Sequence, residues 1–315
     1  MSPWRRSTPR AVAVVVAIAA ACALGPAIAG VLGVDGTSID TRLGATPPSL
    51  AHWFGTDVLG RDLLVRVLVG GRIALAVGAA GTAIALALGI ACGAAAGYAG
   101  GAVDAVLMRL VDAWYALPTA VLAIVVMAVF DSRSMALLVA LIGVTAWPAC
   151  ARVVRGQVAV LRGRGFVAAA RALGASPVRV VGTHVLPNAA GAIAAYASVA
   201  LPQVMLVEAL LSFLGVGVRA PLASWGTLVT EASTQIVVYP WLLWFPAAAM
   251  ATTILALYAL ADALTDTRAP QRTTSAARRT RRGARPSRRC PDRPRAPRTP
   301  RCTPSRRRRS ARSWR

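Results

Sequence analysis

Six stretches of this chain run for at least 18 residues without a charged side chain: 11–34, 73–103, 113–130, 134–151, 182–207 and 232–261. A helix of 18 residues reaches about 27 Å at about 1.5 Å per residue, close to the roughly 30 Å hydrocarbon layer of a bilayer. The pattern predicts an all-α integral membrane protein with six transmembrane helices. Buried helices of a soluble core are the competing reading. With 56% of the 315 residues apolar and 15% charged, the chain is too oily for it.

The formal charge of +23 suggests a nucleic-acid binder until its distribution is considered. Eighteen of the 35 basic residues, against one Asp, fall in residues 269–315. The body is therefore a membrane protein and the tail is basic. Every basic residue is Arg, so the chain has no P-loop lysine to reach the outer phosphates of a nucleotide, and conventional P-loop ATP hydrolysis is excluded here. Cys22, Cys92, Cys150, Cys290 and Cys302 form no C-x-x-C pair, and with two His they make no recognisable zinc set. Metal sites and cofactors on this chain are not expected.

The first run follows Arg5, Arg6 and Arg10 and contains Ala27-Ile28-Ala29, so a cleaved signal competes with an uncleaved helix; its 24 residues exceed a signal's apolar region of roughly 7 to 15 and favour the helix. Orientation follows from Arg in short loops. Residues 151–187 hold Arg152, Arg155, Arg162, Arg164, Arg171 and Arg179 with no acid, whereas 33–71 holds three Arg against four Asp. The first is expected in the cytoplasm, the second outside, with both termini cytoplasmic. The divisions are a cytoplasmic N-terminus 1–10, a first span 11–34, an external loop 35–71, a five-helix core 72–268 with a cytoplasmic loop 152–187, and a tail 269–315. In the second span Gly89, Gly93, Gly97 and Gly101 recur every four residues, a stripe that lets another helix backbone come close.

Three loop segments carry more specific information. Residues 52–72, HWFGTDVLGRDLLVRVLVGGR, alternate Asp57, Arg61, Asp62 and Arg66 before the second span. They read either as an ion-pair lid or as solvated charges contributing roughly 0 to 1 kcal/mol each. Residues 166–188, FVAAARALGASPVRVVGTHVLPN, read as two helical segments broken at Gly174 and restarted at Ser176-Pro177, an angled pair suited to a partner's groove. Residues 208–226, EALLSFLGVGVRAPLASWG, begin with Glu208 beside an uncharged run, which makes it a functional candidate by default. Local pairing of Glu208 is the more economical expectation.

In order and wording these segments resemble permease subunits of bacterial ATP-binding-cassette importers of the dipeptide, oligopeptide and nickel group. Gly55, Thr56, Asp57, Gly60, Arg61 and Asp62 fit that group's GTD-x-x-GRD segment. Ala169, Ala170, Gly174, His184, Leu186, Pro187 and Asn188 fit its EAA-x-x-x-G loop ending in HxLPN. Leu211, Ser212, Phe213, Leu214 and Gly215, then Ser224, Trp225 and Gly226, fit LSFLG followed by SWG.

The resemblance implies half of a two-permease pore in the bacterial inner membrane, working by alternating access to import peptides or a related solute. The partners it implies are a second permease, two ATPase subunits carrying ATP and Mg, and an extracytoplasmic solute-binding protein. It also implies an ATPase-coupling role for the loop with Phe166, Ala168, Ala169, Ala170, Gly174, His184, Leu186 and Pro187. Ala168 stands where the group has an acid, so a charge the loop would offer its ATPase is missing. The acid Glu208, with Ser212, Phe213, Gly215, Trp225 and Gly226, would form the outer motif of the fifth span. His184 invites a proton relay, but its HxLPN context favours a structural cap or interface role.

A proton-coupled secondary transporter using Glu208 and His184 is the alternative function. Against it, the spans lack paired charges and the Arg-rich loop is left without a role. The tail is expected to be disordered and to bind no specific nucleic acid, although its Arg content suits anionic headgroups or RNA nonspecifically. An all-Arg, Ala-rich chain implies a GC-rich gene whose shifted frames also read as Arg, Pro and Ala, so a frameshifted terminus is a candidate explanation. Tryptic peptides from beyond Gln271 in the native protein would remove it.

Overall fold

A computed structural model describes residues 8–31, 36, 38–130, 134–218 and 222–266. The Arg-rich tail, with its expected disorder and candidate frameshift, lies outside the described residues. Among these the chain is helical, with no strand and a single isolated bridge between Thr56 and Asp62. The helices are α1 Thr8–Val31, α2 Leu63–Ala99, α3 Gly101–Tyr115, α4 Thr119–Phe130, α5 Met135–Arg162, α6 Gly165–Ala172, α7 Pro177–Arg179, α8 Leu186–Phe213, α9 Trp225–Ser233 and α10 Trp241–Asp266. A π-helical segment, Val180–Val185, joins α7 to α8. Lipid leaves an open backbone no partner for its N–H and C=O groups, which is why the apolar runs resolve into helices.

Five helices are long and apolar enough to cross a membrane, or six if α3 and α4 count as one broken span. That pair corrects the expected straight helix over 113–130. It bends by 78° between Tyr115 and Thr119, where Pro118 lacks a backbone N–H and holds Leu117 away from the helical region. The run 232–261 is also divided. Its first two residues end α9, and α10 starts only after Pro240. The fifth run becomes part of a continuous helix Pro177–Phe213 whose last portion is α8, so Glu208 lies inside α8 rather than beyond it.

The 37-residue α2 is the axis of the bundle, about 55 Å long. Gly89, Gly93 and Gly97 seat it on α5: a Cβ at Gly93 would stand 2.5 Å from Ala151 O, and one at Gly97 2.7 Å from Arg155 O. Gly101 is the exception in the expected stripe. It has φ +54 and open space around it, and it starts α3 instead of packing. Near the Leu63 end of α2, Cys22, Leu63, Val67, Trp225, Leu228 and Leu242 form one core. Farther along, Val77, Met127, Leu138, Ile142, Val204 and Leu211 form a second. Towards the Ala99 end, Ala94, Cys150, Val154, Val158, Val167, Val180 and Val185 form a third.

Candidate functional site

The three sequence motifs gather at the two ends of α2. At the Leu63 end the chain reverses sharply through Gly55 and Gly60, with φ +78 and +76, where a Cβ would collide with the backbone oxygens of Thr46 and Asp40. Thr56, fully buried, donates from Oγ1 to Gly44 O at 2.7 Å and accepts from Thr46 N at 2.8 Å. Asp62 caps α2 by accepting from Val65 N, and its other oxygen lies 2.9 Å from His52 Nδ1. Here the alternating charges are a buried network rather than solvated loop charges.

Asp57 is its hub. Its Oδ1 accepts from the backbone N–H groups of Leu59 and Arg61, and its Oδ2 accepts from Arg61 Nε at 2.7 Å and Arg66 Nη1 at 2.6 Å. Arg66 also reaches Glu231 Oε2 at 3.0 Å. Two guanidiniums out of water each need a carboxylate to offset lost hydration, and Asp57 sits between them. Glu231, on α9, thereby ties the first motif to the third. Sequence reading missed Glu231: it served only as the boundary of an uncharged run, and the Arg66 that it meets is 165 residues away.

The third motif is clamped from within. Glu208, 1% exposed, accepts on Oε1 from Ser212 Oγ at 2.7 Å and Ser224 Oγ at 2.6 Å. Ser224 is also the N-cap of α9, in a capping box with Thr227. Gly226 brings α9 onto α8, since a Cβ there would stand 2.7 Å from Ala209 Cα. Trp225, buried, donates from Nε1 to Val67 O on α2 at 2.8 Å. Gly215, φ +79, lies just past the end of α8, and Phe213 stays exposed. Glu208 thus takes the local pairing expected of it.

At the Ala99 end, α6 packs Val167 and Ala170 onto α5 and the π-helical segment, leaving Phe166, Ala168, Ala169 and Leu173 exposed. Gly174 turns the chain at φ +80, and Ser176 caps the next segment with Pro177 in its first turn. A proline ring crowds the carbonyl four residues earlier in an α-helix. The wider π-helical turn ending just before Leu186 and Pro187 relieves that crowding. Asn188 Nδ2 donates to His184 O at 2.6 Å, one turn back along the same helix.

Several of the expected inside-facing Arg are engaged here. Arg155 grips Asp104 with Nε–Oδ1 2.7 Å and Nη2–Oδ2 2.6 Å, and Arg152 reaches Asp112 at 2.9 Å. Glu208 and His184 are not brought together. They lie 24 residues apart on the continuous helix Pro177–Phe213, about 36 Å along its axis.

Comparison with known proteins places the chain in a family. A family model described as "Binding-protein-dependent transport system inner membrane component" matches residues 85–270, ending where the Arg-rich composition begins. The chain is 43% identical over 220 residues to the "Oligopeptide transport system permease protein OppC" of Escherichia coli (strain K12), covering 70% of this chain and 72% of that one. It is 37% identical over 226 residues to the "Dipeptide transport system permease protein DppC" of Bacillus subtilis (strain 168), covering 71% and 70%. To the "Glutathione transport system permease protein GsiD" of Pectobacterium atrosepticum it is 37% identical over 224 residues, covering 71% and 74%. A helical bundle of five or six spans with a family match over more than half its length leaves one assignment: the chain belongs to the binding-protein-dependent transport system inner membrane components, as a multi-pass permease subunit.

Proposed function

We propose that this chain is one of two permease subunits forming the pore of an ATP-driven peptide importer, with ATP and Mg held by two separate ATPase subunits. The Ala99 end faces the cytoplasm, where loop 152–187 seats in an ATPase groove. The Leu63 end faces outward, where a solute-binding protein delivers its cargo. The observation that carries this reading is the apolar tip of the loop: Leu173 is 88% and Val178 84% exposed, beside the open Ala168 and Ala169. A tip so apolar and so short of contacts within its own chain suits burial against a partner.

The packing supplies a path for force. Val167 and Ala170 of α6 rest against Val154 and Val158 of α5 and against Val180 and Val185. A push on the tip therefore moves α5 and α8 together, and α5 carries α2 through the glycine contacts. Such a push does work only if the ATPase grips the loop differently in its two states. An acid at position 168 would face outward, so Ala168 alters what a partner meets and leaves this chain's own packing intact.

The test is ATP-dependent peptide uptake into vesicles, with mass spectrometry of what copurifies. An ATPase and a second permease should accompany the chain, and Leu173→Glu should abolish uptake and release the ATPase while the permease stays folded. Uptake driven by a proton gradient alone, with no ATPase recovered, would overturn the reading.

A further inference from the structure

An apolar groove of about 470 Å³ opens beside the Ala99 end of α2. Its walls include Ile90, Ala94 and Ala95 of α2, Val103 of α3, and Val181 and Leu186 on the far side. The volume falls in the roughly 300 to 1,000 Å³ range of sites that hold small ligands. Its rim is positive. Tyr98, a lining residue, carries Arg171 over its ring at 4.8 Å and accepts from Arg171 Nε at 3.1 Å. Ala99, also lining, accepts from Arg162 Nη1 at 3.0 Å. Arg179 follows the lining residues Pro177 and Val178 in the chain.

These three Arg differ from their neighbours. Arg152 and Arg155 have carboxylate partners, Asp112 and Asp104, whereas among the described residues no carboxylate pairs with Arg162, Arg171 or Arg179. Each is exposed. The contacts that hold Arg162 and Arg171 fix them at the mouth of a hydrocarbon-lined slot and leave guanidinium N–H groups unspent. Apolar walls under a fixed cationic rim complement a molecule with an acyl chain and an anionic head, and a basic pocket among membrane helices suits a phospholipid phosphate.

We propose that this groove binds an anionic phospholipid, one acyl chain lying between α2 and the Val181–Leu186 wall and the phosphate held by Arg162 and Arg171. The groove shares Val178 with the proposed ATPase-facing tip, and its Arg lie in loop 152–187, so the site adjoins that contact and the experiment must separate the two.

The purified transporter complex, stripped of lipid in mild detergent, is titrated with phosphatidylglycerol or phosphatidylcholine of the same acyl composition, and bound lipid is counted by native mass spectrometry. Phosphatidylglycerol should bind on the order of tenfold more tightly than phosphatidylcholine, as expected for two basic contacts near a headgroup. R162Q/R171Q should remove the preference and keep weak binding of both lipids. Ala95→Phe, at an exposed wall position, should fill the slot and abolish the bound lipid. Size-exclusion profiles matching wild type establish that each variant is folded.

Equal retention of the two lipids by wild type needs no variant to overturn the proposal. Retention by Ala95→Phe at the wild-type level would overturn it as well, as would displacement of lipid by free glycerol phosphate. If R162Q/R171Q kept its lipid preference but released the ATPase, the two Arg would belong to the partner contact and the lipid site would be refuted. Loss of the ATPase from wild type, with the lipid preference preserved, would instead count against the coupling reading alone.

Discussion

Asp57 shows how one side chain governs one end of the bundle. Replacing it with Asn leaves Arg61 and Arg66 without the carboxylate between them, and breaking a buried ion pair by removing one partner costs about 3–5 kcal/mol. We expect a large drop in melting temperature of the detergent-solubilised complex for Asp57→Asn. Glu231→Gln should change it little, because that side chain is 50% exposed and exposed pairs contribute about 0–1 kcal/mol. Glu208 gives a contrasting prediction. Glu208→Gln retains an oxygen to accept from Ser212 or Ser224, so transport should survive, whereas Glu208→Ala leaves both hydroxyls without their acceptor and should cost about 1–3 kcal/mol per orphaned group. Loss of uptake in a stably folded Glu208→Gln protein would restore a proton-handling role to this acid. The sequence exposed Asp57 and Glu208 as unusual charges near spans and offered Arg61 and Arg66 to Asp57, but the Glu231 that meets Arg66 and the Ser224 that meets Glu208 are brought in by helix packing, which residue spacing does not encode.

At the scale of elements, the glycines of α2 decide how closely α5 lies. Gly93→Ala should drive a methyl against Ala151 O and cost about 1–3 kcal/mol, the usual penalty for forcing atoms into a packed contact. Gly156→Ala, in α5 with nothing within 4 Å of a Cβ, should stabilise its helix by up to about 1 kcal/mol. Chemical denaturation of the two variants in one detergent compares them directly. The stripe was legible because a four-residue repeat of small side chains is a property of the chain itself. Gly101 broke ranks because it follows the end of α2 and turns the chain into α3. The bend at Pro118 was not read from the sequence: Pro26, Pro148, Pro202 and Pro246 sit inside helices, so a proline within an apolar run does not by itself mark a break.

For the whole molecule, the proposed orientation makes a prediction that needs no knowledge of the solute. With the native cysteines replaced and the ATPase stripped from the membranes, Leu173→Cys should react with a membrane-impermeant maleimide only in inside-out vesicles, and Val58→Cys only in right-side-out ones; both positions are exposed in the chain, at opposite ends of the bundle. The opposite pattern would invert the topology. The sequence by itself determined that the chain is a membrane-embedded helical bundle of the permease kind. The bundle follows from local composition, because the length of an apolar run and the cost of an unpaired backbone in lipid act on contiguous residues. Only the tertiary structure decided that α9 folds back to join Glu231 to Arg66, that Glu208 is held by two serines, and that an Arg-rimmed groove lies against α2. Those features depend on side chains from separate helices meeting in space, and their distances are set by packing rather than by order along the chain.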